Sequence, residues 1–204
     1  MPIVTISRQI GSLGCEIARL AADLLGYRLV WREVINKAAC CCGVPDAALA
    51  DIDELGLLGL KLSPKASQAY IKAVGHVIEE LAAEGDVVIV GRGGQAILRG
   101  LPNVLHVRVI APAELRAERI ALRHHIPLEG AQAQVEARDR YRRNYLKRFY
   151  HINWDDPELY DLTLNTARLS SDEAARHIVQ AALNLPFPVR QDASLPYETI
   201  PGAS

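Results

Sequence analysis

Apolar and polar positions along the chain follow two alternating patterns. Short runs rich in β-branched residues occupy positions 3–6, 27–30, 87–90, 104–110 and 162–166. The stretches between them place apolar residues at spacings of three and four, the period of an α-helix with one buried face. Strands that alternate with helices predict a parallel sheet covered by helices, so we expect an α/β fold.

The predicted helices have recognisable faces and ends. The first is defined by an apolar stripe and a closing glycine, at Ile17, Leu20, Ala21, Leu24, Leu25 and Gly26. Further helices are predicted over 33–42, 64–84, 113–125 and 128–150, and another after the capping box of Ser170 and Glu173. The leucine-rich stretch 46–62 is compatible with two short helices that form a mobile cover.

A loop with two glycines, Gly11 and Gly14, joins the first strand to the first helix. Backbone N–H groups of such a loop and of the first helical turn converge on one point, where the helix dipole adds positive charge. This stretch predicts a phosphate cradle. The kinase pattern G-x-x-x-x-G-K-[ST] is matched only at Gly14, because Gln9, Cys15 and Glu16 occupy its other defined positions, so a structural turn is an equally good interpretation.

Two further segments concentrate arginine. Arg92 follows a strand that is apolar on both faces, within a glycine-rich turn, which predicts a cation at the ligand-binding edge of the sheet. The stretch 138–148 holds six cations against one acid, an excess that suits polyphosphate or, with its neighbouring tyrosines, single-stranded RNA. Arg116, Arg119 and Arg123 recur at helical spacing, and we expect them to form a solvated face, with the alternative that one of them points into a cleft.

Length and composition limit the classes of function. The chain has 204 residues, enough for one sizeable domain, and a formal net charge of -1, which argues against nucleic acid as a partner. The three consecutive cysteines 40–42 cannot converge on one metal ion, so no metal site is predicted. Without a signal peptide or a long apolar run, we expect a cytoplasmic protein with no membrane segment.

Two motifs make the chain resemble the cytidylate kinase-like family. One is Ile6-Ser7-Arg8-Gln9-x-Gly11-Ser12-x-Gly14-x-Glu16-Ile17, and the other is Val88-Ile89-Val90-Gly91-Arg92-Gly93. The similarity runs from about residue 3 to 183 and implies a P-loop NTPase-like three-layer α/β/α fold with a five-stranded parallel sheet. It implies one domain over 1–185, with a helical nucleoside-monophosphate-binding region at 31–85 and a lid at 124–158, before a proline-rich tail at 186–204.

The resemblance also implies a chemistry, the ATP- and Mg²⁺-dependent phosphorylation of a nucleoside monophosphate such as CMP. It assigns the donor phosphates to the loop and first helical turn, at Gly11, Ser12, Leu13, Gly14, Cys15 and Glu16. It assigns catalysis to four arginines, Arg8, Arg92, Arg140 and Arg143. The last two are preferred among four lid candidates, the others being Arg138 and Arg142. The acceptor would be a small molecule, and homo-oligomerisation is left open.

Three residues differ from the family pattern and support an alternative function. Cys15 replaces the phosphate-binding cation, Leu13 replaces a glycine, and Trp31 follows the second strand where the family often has an aspartate. A catalytically degenerate member that binds a nucleotide or another phosphorylated ligand, as a regulatory or partner protein, is therefore the alternative. An RNA-binding module is a third hypothesis, resting only on the arginine- and tyrosine-rich run.

Overall fold

Five parallel strands form one sheet in the order β2-β3-β1-β4-β5. Their bounds are β1 Ile3–Arg8, β2 Arg28–Val30, β3 Val87–Val90, β4 Val104–Ile110 and β5 Leu162–Asn165. In the central register Ile6 of β1 lies opposite Val90 of β3 and Val107 of β4, so the carboxyl ends of three strands meet at one edge. The predicted five-stranded parallel sheet is confirmed.

The structure is a computed structural model that describes residues 2–31, 34, 36, 38 and 64–185. Within these ranges the helices are α1 Gly14–Leu25, α2 Pro64–Glu84, α3 Gly94–Ile97, α4 Ala113–His124, α5 Leu128–Tyr150 and α6 Ser171–Leu183, with a 3₁₀ turn at Pro157–Leu159. The helices predicted over 46–62 and most of 33–42, like the tail 186–204, lie outside the described residues.

Helices cover both faces of the sheet, because alternate residues of each strand point to opposite sides. On one face, Ile3 and Ile89 pack with Tyr70, Val74 and other residues of α2. The opposite face buries a second cluster that joins strands to α1 and α6, including Val4, Val88, Ile17, Ala21 and Ile178. A helical layer on each side of the sheet makes the three-layer architecture that the sequence predicted.

The predicted capping residues are found at the ends of two helices. Gly26 adopts a left-handed φ of 68° and caps α1, and Ser170 and Glu173 form the complete capping box at the start of α6. None of the helices in the described ranges is long and apolar enough to cross a membrane.

The expected solvated arginine face on α4 is wrong for Arg116. This side chain is only 4% exposed, and its Nη2 lies 2.9 Å from Oδ2 of Asp139 on α5. The two helices also bury Ala117, Ile120 and Val135 between them. The arginine therefore faces a partner helix instead of water, and its ion pair fixes α4 to the arginine-rich α5.

Candidate phosphate-binding site

The loop between β1 and α1 is held in a tight, left-handed path. Gly11 has φ 75° and Leu13, the residue before the helix, has φ 62°. The buried Ser12 does not face outward, since its Oγ donates a hydrogen bond of 2.8 Å to the carbonyl of Gln9. No side chain caps the start of α1. The first-turn N–H groups of this helix thus remain available to an external acceptor.

Close packing under the loop explains why its two glycines are needed. A Cβ on Gly11 would lie 2.7 Å from the carbonyl oxygen of Arg116, and one on Gly14 would lie 2.5 Å from Cβ of Arg8. Arg119 supports the loop from α4, with Nη1 3.3 Å from the Gly11 carbonyl and Nη2 donating at 2.8 Å to the carbonyl of Thr166. Arg116 and Arg119, which the sequence pattern assigned to a solvated face, thus support the loop.

Arg8 carries a buried charge beside this loop. The side chain is 5% exposed at the end of β1, and its guanidinium lies against Gly91. Burial and then the positive charge of Arg142 lower the pKa of Arg8 to about 10, while the electrostatic interaction with Cys15 opposes the change. Arg8 is still a cation at pH 7. Two neighbouring cations, Arg142 and Arg92, repel it and so raise the free energy of its charged form.

Arg92 is held in a conformation that costs energy. Gly91, Arg92 and Gly93 all have left-handed φ values, of 77°, 58° and 76°. The Arg92 side chain is 7% exposed, and its Nε and Nη2 have no hydrogen-bond acceptor in the described part of the chain. Tyr150 of α5 packs on this turn, since a Cβ on Gly93 would lie 2.7 Å from its ring. A buried cation with unsatisfied donors is a strong candidate for an anion ligand.

These arginines share one cavity at the carboxyl edge of the sheet. Its lining is Ser7, Arg8, Gly91, Arg92, Gly93, Gln95, Arg142, Tyr145, Leu146 and Trp154. Three guanidinium groups line it and none of these residues is acidic. Burial is the main cause of the lowered pKa of Arg8, and the charges of Arg142 and Arg92 lower it further. Binding an anion would relieve the mutual repulsion of the three cations, so the cavity has the chemistry of a phosphate site.

The predicted lid arginines lie in different environments. Arg142 lines the cavity, Arg143 pairs with Asp155 at 2.6 Å between Nε and Oδ2, and Arg140 is exposed. Of the predicted site residues, the structure thus brings Arg8 and Arg92 together with Arg142, and it places Arg140 and Arg143 outside the cavity lining. Cys15 is a partly buried free thiol and Glu16 is exposed in the first turn of α1.

Trp154 forms one wall of the cavity and was missed by the sequence analysis. It is 1% exposed and its Nε1 donates a 2.8 Å hydrogen bond to Oγ of Ser7 on β1. Arg108 lies 5.0 Å from the centroid of the Trp154 ring and 5.3 Å from that of Tyr160. The pattern of polar and apolar residues does not predict these contacts, because Arg108 and Ser7 are 46 and 147 positions from Trp154.

Asp155 links the arginine-rich helix to the sheet. Its carboxylate accepts hydrogen bonds from Arg108 at 2.5 Å and from Arg143 at 2.6 Å. Partial burial alone would raise the pKa of Asp155, but the hydrogen bonds and charges of Arg143 and Arg108 outweigh it and lower the pKa below its ordinary value. The folded state therefore favours the ionised carboxylate, and this carboxylate fixes the segment that follows α5.

A pH dependence of stability follows from that lowered pKa. The stabilisation from Asp155 is fully present above its unfolded-state pKa of about 4 and is lost as the pH falls through its lower pKa in the folded state. We expect Asp155→Asn to lower the melting temperature at pH 7 and to have progressively less effect below about pH 4. Thermal melts of the wild type and of Asp155→Asn between pH 7 and pH values below about 4 measure this difference in melting temperature. Glu158→Gln, at a neighbouring exposed carboxylate, is the control. An Asp155→Asn effect that does not change with pH would contradict the assignment.

Comparisons with known proteins bear on the family and on the fold. The sequence model of the cytidylate kinase-like family matches residues 3–168. A cytidylate kinase of Pyrococcus horikoshii is 36% identical over 187 residues, which cover 92% of this chain and 91% of that protein. The structure of an uncharacterized protein from Eubacterium ventriosum has a TM-score of 0.71 at 20% identity, with coverage of 90% and 99%. A shikimate kinase from Acinetobacter baumannii has a TM-score of 0.53 at 16% identity, with coverage of 90% and 93%, and these two likenesses show the fold.

Proposed function

Because the chain belongs to the cytidylate kinase-like family, we propose that it is a nucleoside-monophosphate kinase that transfers the γ-phosphoryl group of ATP to an acceptor such as CMP. The observation that carries the proposal is the cavity in which Arg8, Arg92 and Arg142 converge at the carboxyl edge of the sheet. Phosphoryl transfer needs positioning and charge neutralisation more than covalent help, and these residues supply both.

The acceptor phosphate is assigned to this cavity. Arg92 offers donors that no described group accepts, from a turn whose backbone is fixed by Gly91 and Gly93. Planar guanidinium groups bind two oxygens of a phosphate at once, which orients the acceptor for in-line attack on the donor. Arg142, from the arginine-rich helix α5, adds a third charge to the cavity lining.

The donor phosphates are assigned to the loop at Gly11–Gly14 and to the first turn of α1. The chemistry of this region fits a Mg²⁺-triphosphate, because uncapped backbone N–H groups favour an anion and the Glu16 carboxylate is a hard oxygen ligand of the kind that Mg²⁺ takes. The described residues contain no cluster of three or more His, Cys, Asp or Glu side chains. Most ligands of the ion would thus be phosphate oxygens and water, as is usual for Mg²⁺ with nucleotides. When bound, the Mg²⁺ ion would neutralise part of the negative charge of the triphosphate.

Cys15 stands where a lysine neutralises the donor phosphates in the common kinase motif. We infer that Arg8 takes over part of that charge, since it is buried beside the loop and interacts with Cys15. The same substitution favours the second candidate, a protein that binds a phosphorylated ligand without turnover. Both candidates use the same anion site, and only a measurement of turnover separates them.

The deciding experiment measures ADP release from Mg-ATP in the presence of CMP, dCMP, UMP, AMP or GMP. We expect turnover that depends on at least one of these acceptors. If none supports turnover while ATP or a monophosphate raises the melting temperature, the site binds nucleotides and the second candidate is correct. If neither turnover nor a shift in melting temperature is found, the kinase is wrong, and the second candidate is restricted to a phosphorylated ligand other than these nucleotides.

A further inference from the structure

Trp31 lies at the same sheet edge as the arginines of the cavity. It directly follows β2, whose Val30 lies opposite Ile89 of β3. Arg92 is two residues beyond the end of β3, and Arg8 is the last residue of β1, the next strand in the sheet. Three adjacent strand ends thus present one tryptophan and two arginines along a continuous edge.

The indole is both in contact with the anion site and open to solvent. Cζ of Arg8 lies over the Trp31 ring, 5.4 Å from its centroid, a cation–π distance. The Trp31 residue is nevertheless 37% exposed, in contrast to the 1% of Trp154. Isolated exposed apolar side chains are common, but this one contacts a buried guanidinium that belongs to the candidate phosphate site.

We infer that Trp31 stacks against the base of the acceptor nucleotide whose phosphate is bound by Arg8 and Arg92. This inference rests on the proposed function for the class of ligand. A planar aromatic next to a phosphate-binding cation matches the two ends of a nucleotide, because every base has a π-face and every monophosphate is an anion. Stacking is tolerant of base identity, so this contact adds affinity for monophosphates in general and does not by itself select cytosine.

A purely supporting role for Trp31 is the competing explanation. In that case the ring would hold Arg8 in place, and its loss would weaken every phosphate-bearing ligand, with or without a base. Ribose 5-phosphate keeps the sugar and the phosphate of a nucleotide and lacks the base. Comparing it with CMP therefore separates contact with the base from support of the arginine.

The test is calorimetric binding of CMP and of ribose 5-phosphate, without ATP, to the wild type and to Trp31→Ala. We expect the variant to bind CMP about tenfold more weakly and to bind ribose 5-phosphate as the wild type does. Trp31→Phe should recover most of the CMP affinity, since it restores an aromatic face. Tyr141→Ala removes a similarly exposed aromatic, 40% exposed on α5, and should change neither affinity.

Intrinsic fluorescence gives an independent readout, because the chain has two tryptophans and Trp154 is buried. CMP should alter the emission of the wild type more than ribose 5-phosphate does. This difference should be absent in Trp31→Phe, where the remaining Trp154, in the wall of the phosphate cavity, reports only the phosphate that both ligands share. Equal weakening of both ligands in Trp31→Ala would show a supporting role and overturn the inference, as would unchanged CMP affinity. If the wild type binds no monophosphate, the inference and the proposed function fall together, whereas absent turnover with intact CMP binding removes only the kinase assignment.

Discussion

Replacing Arg92 with glycine is expected to reduce phosphoryl transfer by about 10³-fold or more while leaving the melting temperature unchanged or higher. Arg92 has a left-handed φ of 58°, which costs a residue with a side chain about 1 kcal/mol and costs glycine almost nothing. The substitution also removes a buried cation that repels Arg8. Steady-state ADP release with the best acceptor, together with a thermal melt, measures the two effects separately.

Matched variants define what the Arg92→Gly result means. Arg99→Ala removes an exposed arginine just after α3 and should leave both turnover and stability close to the wild type. Arg92→Lys keeps the charge but loses the planar pair of donors, so we expect intermediate turnover. Full activity in Arg92→Gly would remove this residue from the site, and a large fall in melting temperature would show that its main role is structural.

Removing the Arg116 side chain should have the largest effect on stability. Its ion pair with Asp139 is buried, with the two side chains 4% and 6% exposed, and its Nε also donates to the Ala111 carbonyl at 2.9 Å. Breaking one partner of such a pair leaves an uncompensated buried charge and costs about 3–5 kcal/mol. For a chain of this length we expect Arg116→Ala to melt about 10 °C lower, at the usual few degrees per kcal/mol.

An exposed pair within one helix provides the control for Arg116. Arg19 and Asp23 on α1 are 2.9 Å apart with side chains 59% and 64% exposed, and such pairs contribute less than about 1 kcal/mol. Arg19→Ala should therefore melt within a few degrees of the wild type. Replacing both Arg116 and Asp139 by apolar residues should restore much of the loss, because no unpaired charge stays buried. Equal shifts for Arg116→Ala and Arg19→Ala would contradict a specific role for the buried pair.

Most of the fold could be predicted because its determinants are local. The Val87–Val90 run has the β-branched, doubly apolar character of a central parallel strand, and its predicted bounds match β3. The helix predicted over 128–150 coincides with α5. Helical and strand periods are set by neighbours within a few positions, so they can be recognised without knowledge of the tertiary contacts.

The candidate site could be predicted only in part. Arg8 ends β1 and Arg92 follows β3. A parallel sheet brings such residues to one edge, where the structure has them lining the same cavity. The preference for Arg140 and Arg143 over Arg142 depended on helical spacing alone. Spacing shows which residues share a face, but which face meets the cavity depends on how α5 packs against α4 and the sheet.

The sequence by itself determined the succession of strands and helices along the chain and the glycines of the loop. It also determined that Arg8 and Arg92 lie at the ends of strands. Only the tertiary structure decided the environments of Arg116, Arg142 and Trp154. Their partners, Asp139, Arg8 and Ser7, are distant along the chain, so no local period couples them. The charge of an arginine is visible in the sequence, but whether it meets water, a carboxylate or other cations is set by packing between elements.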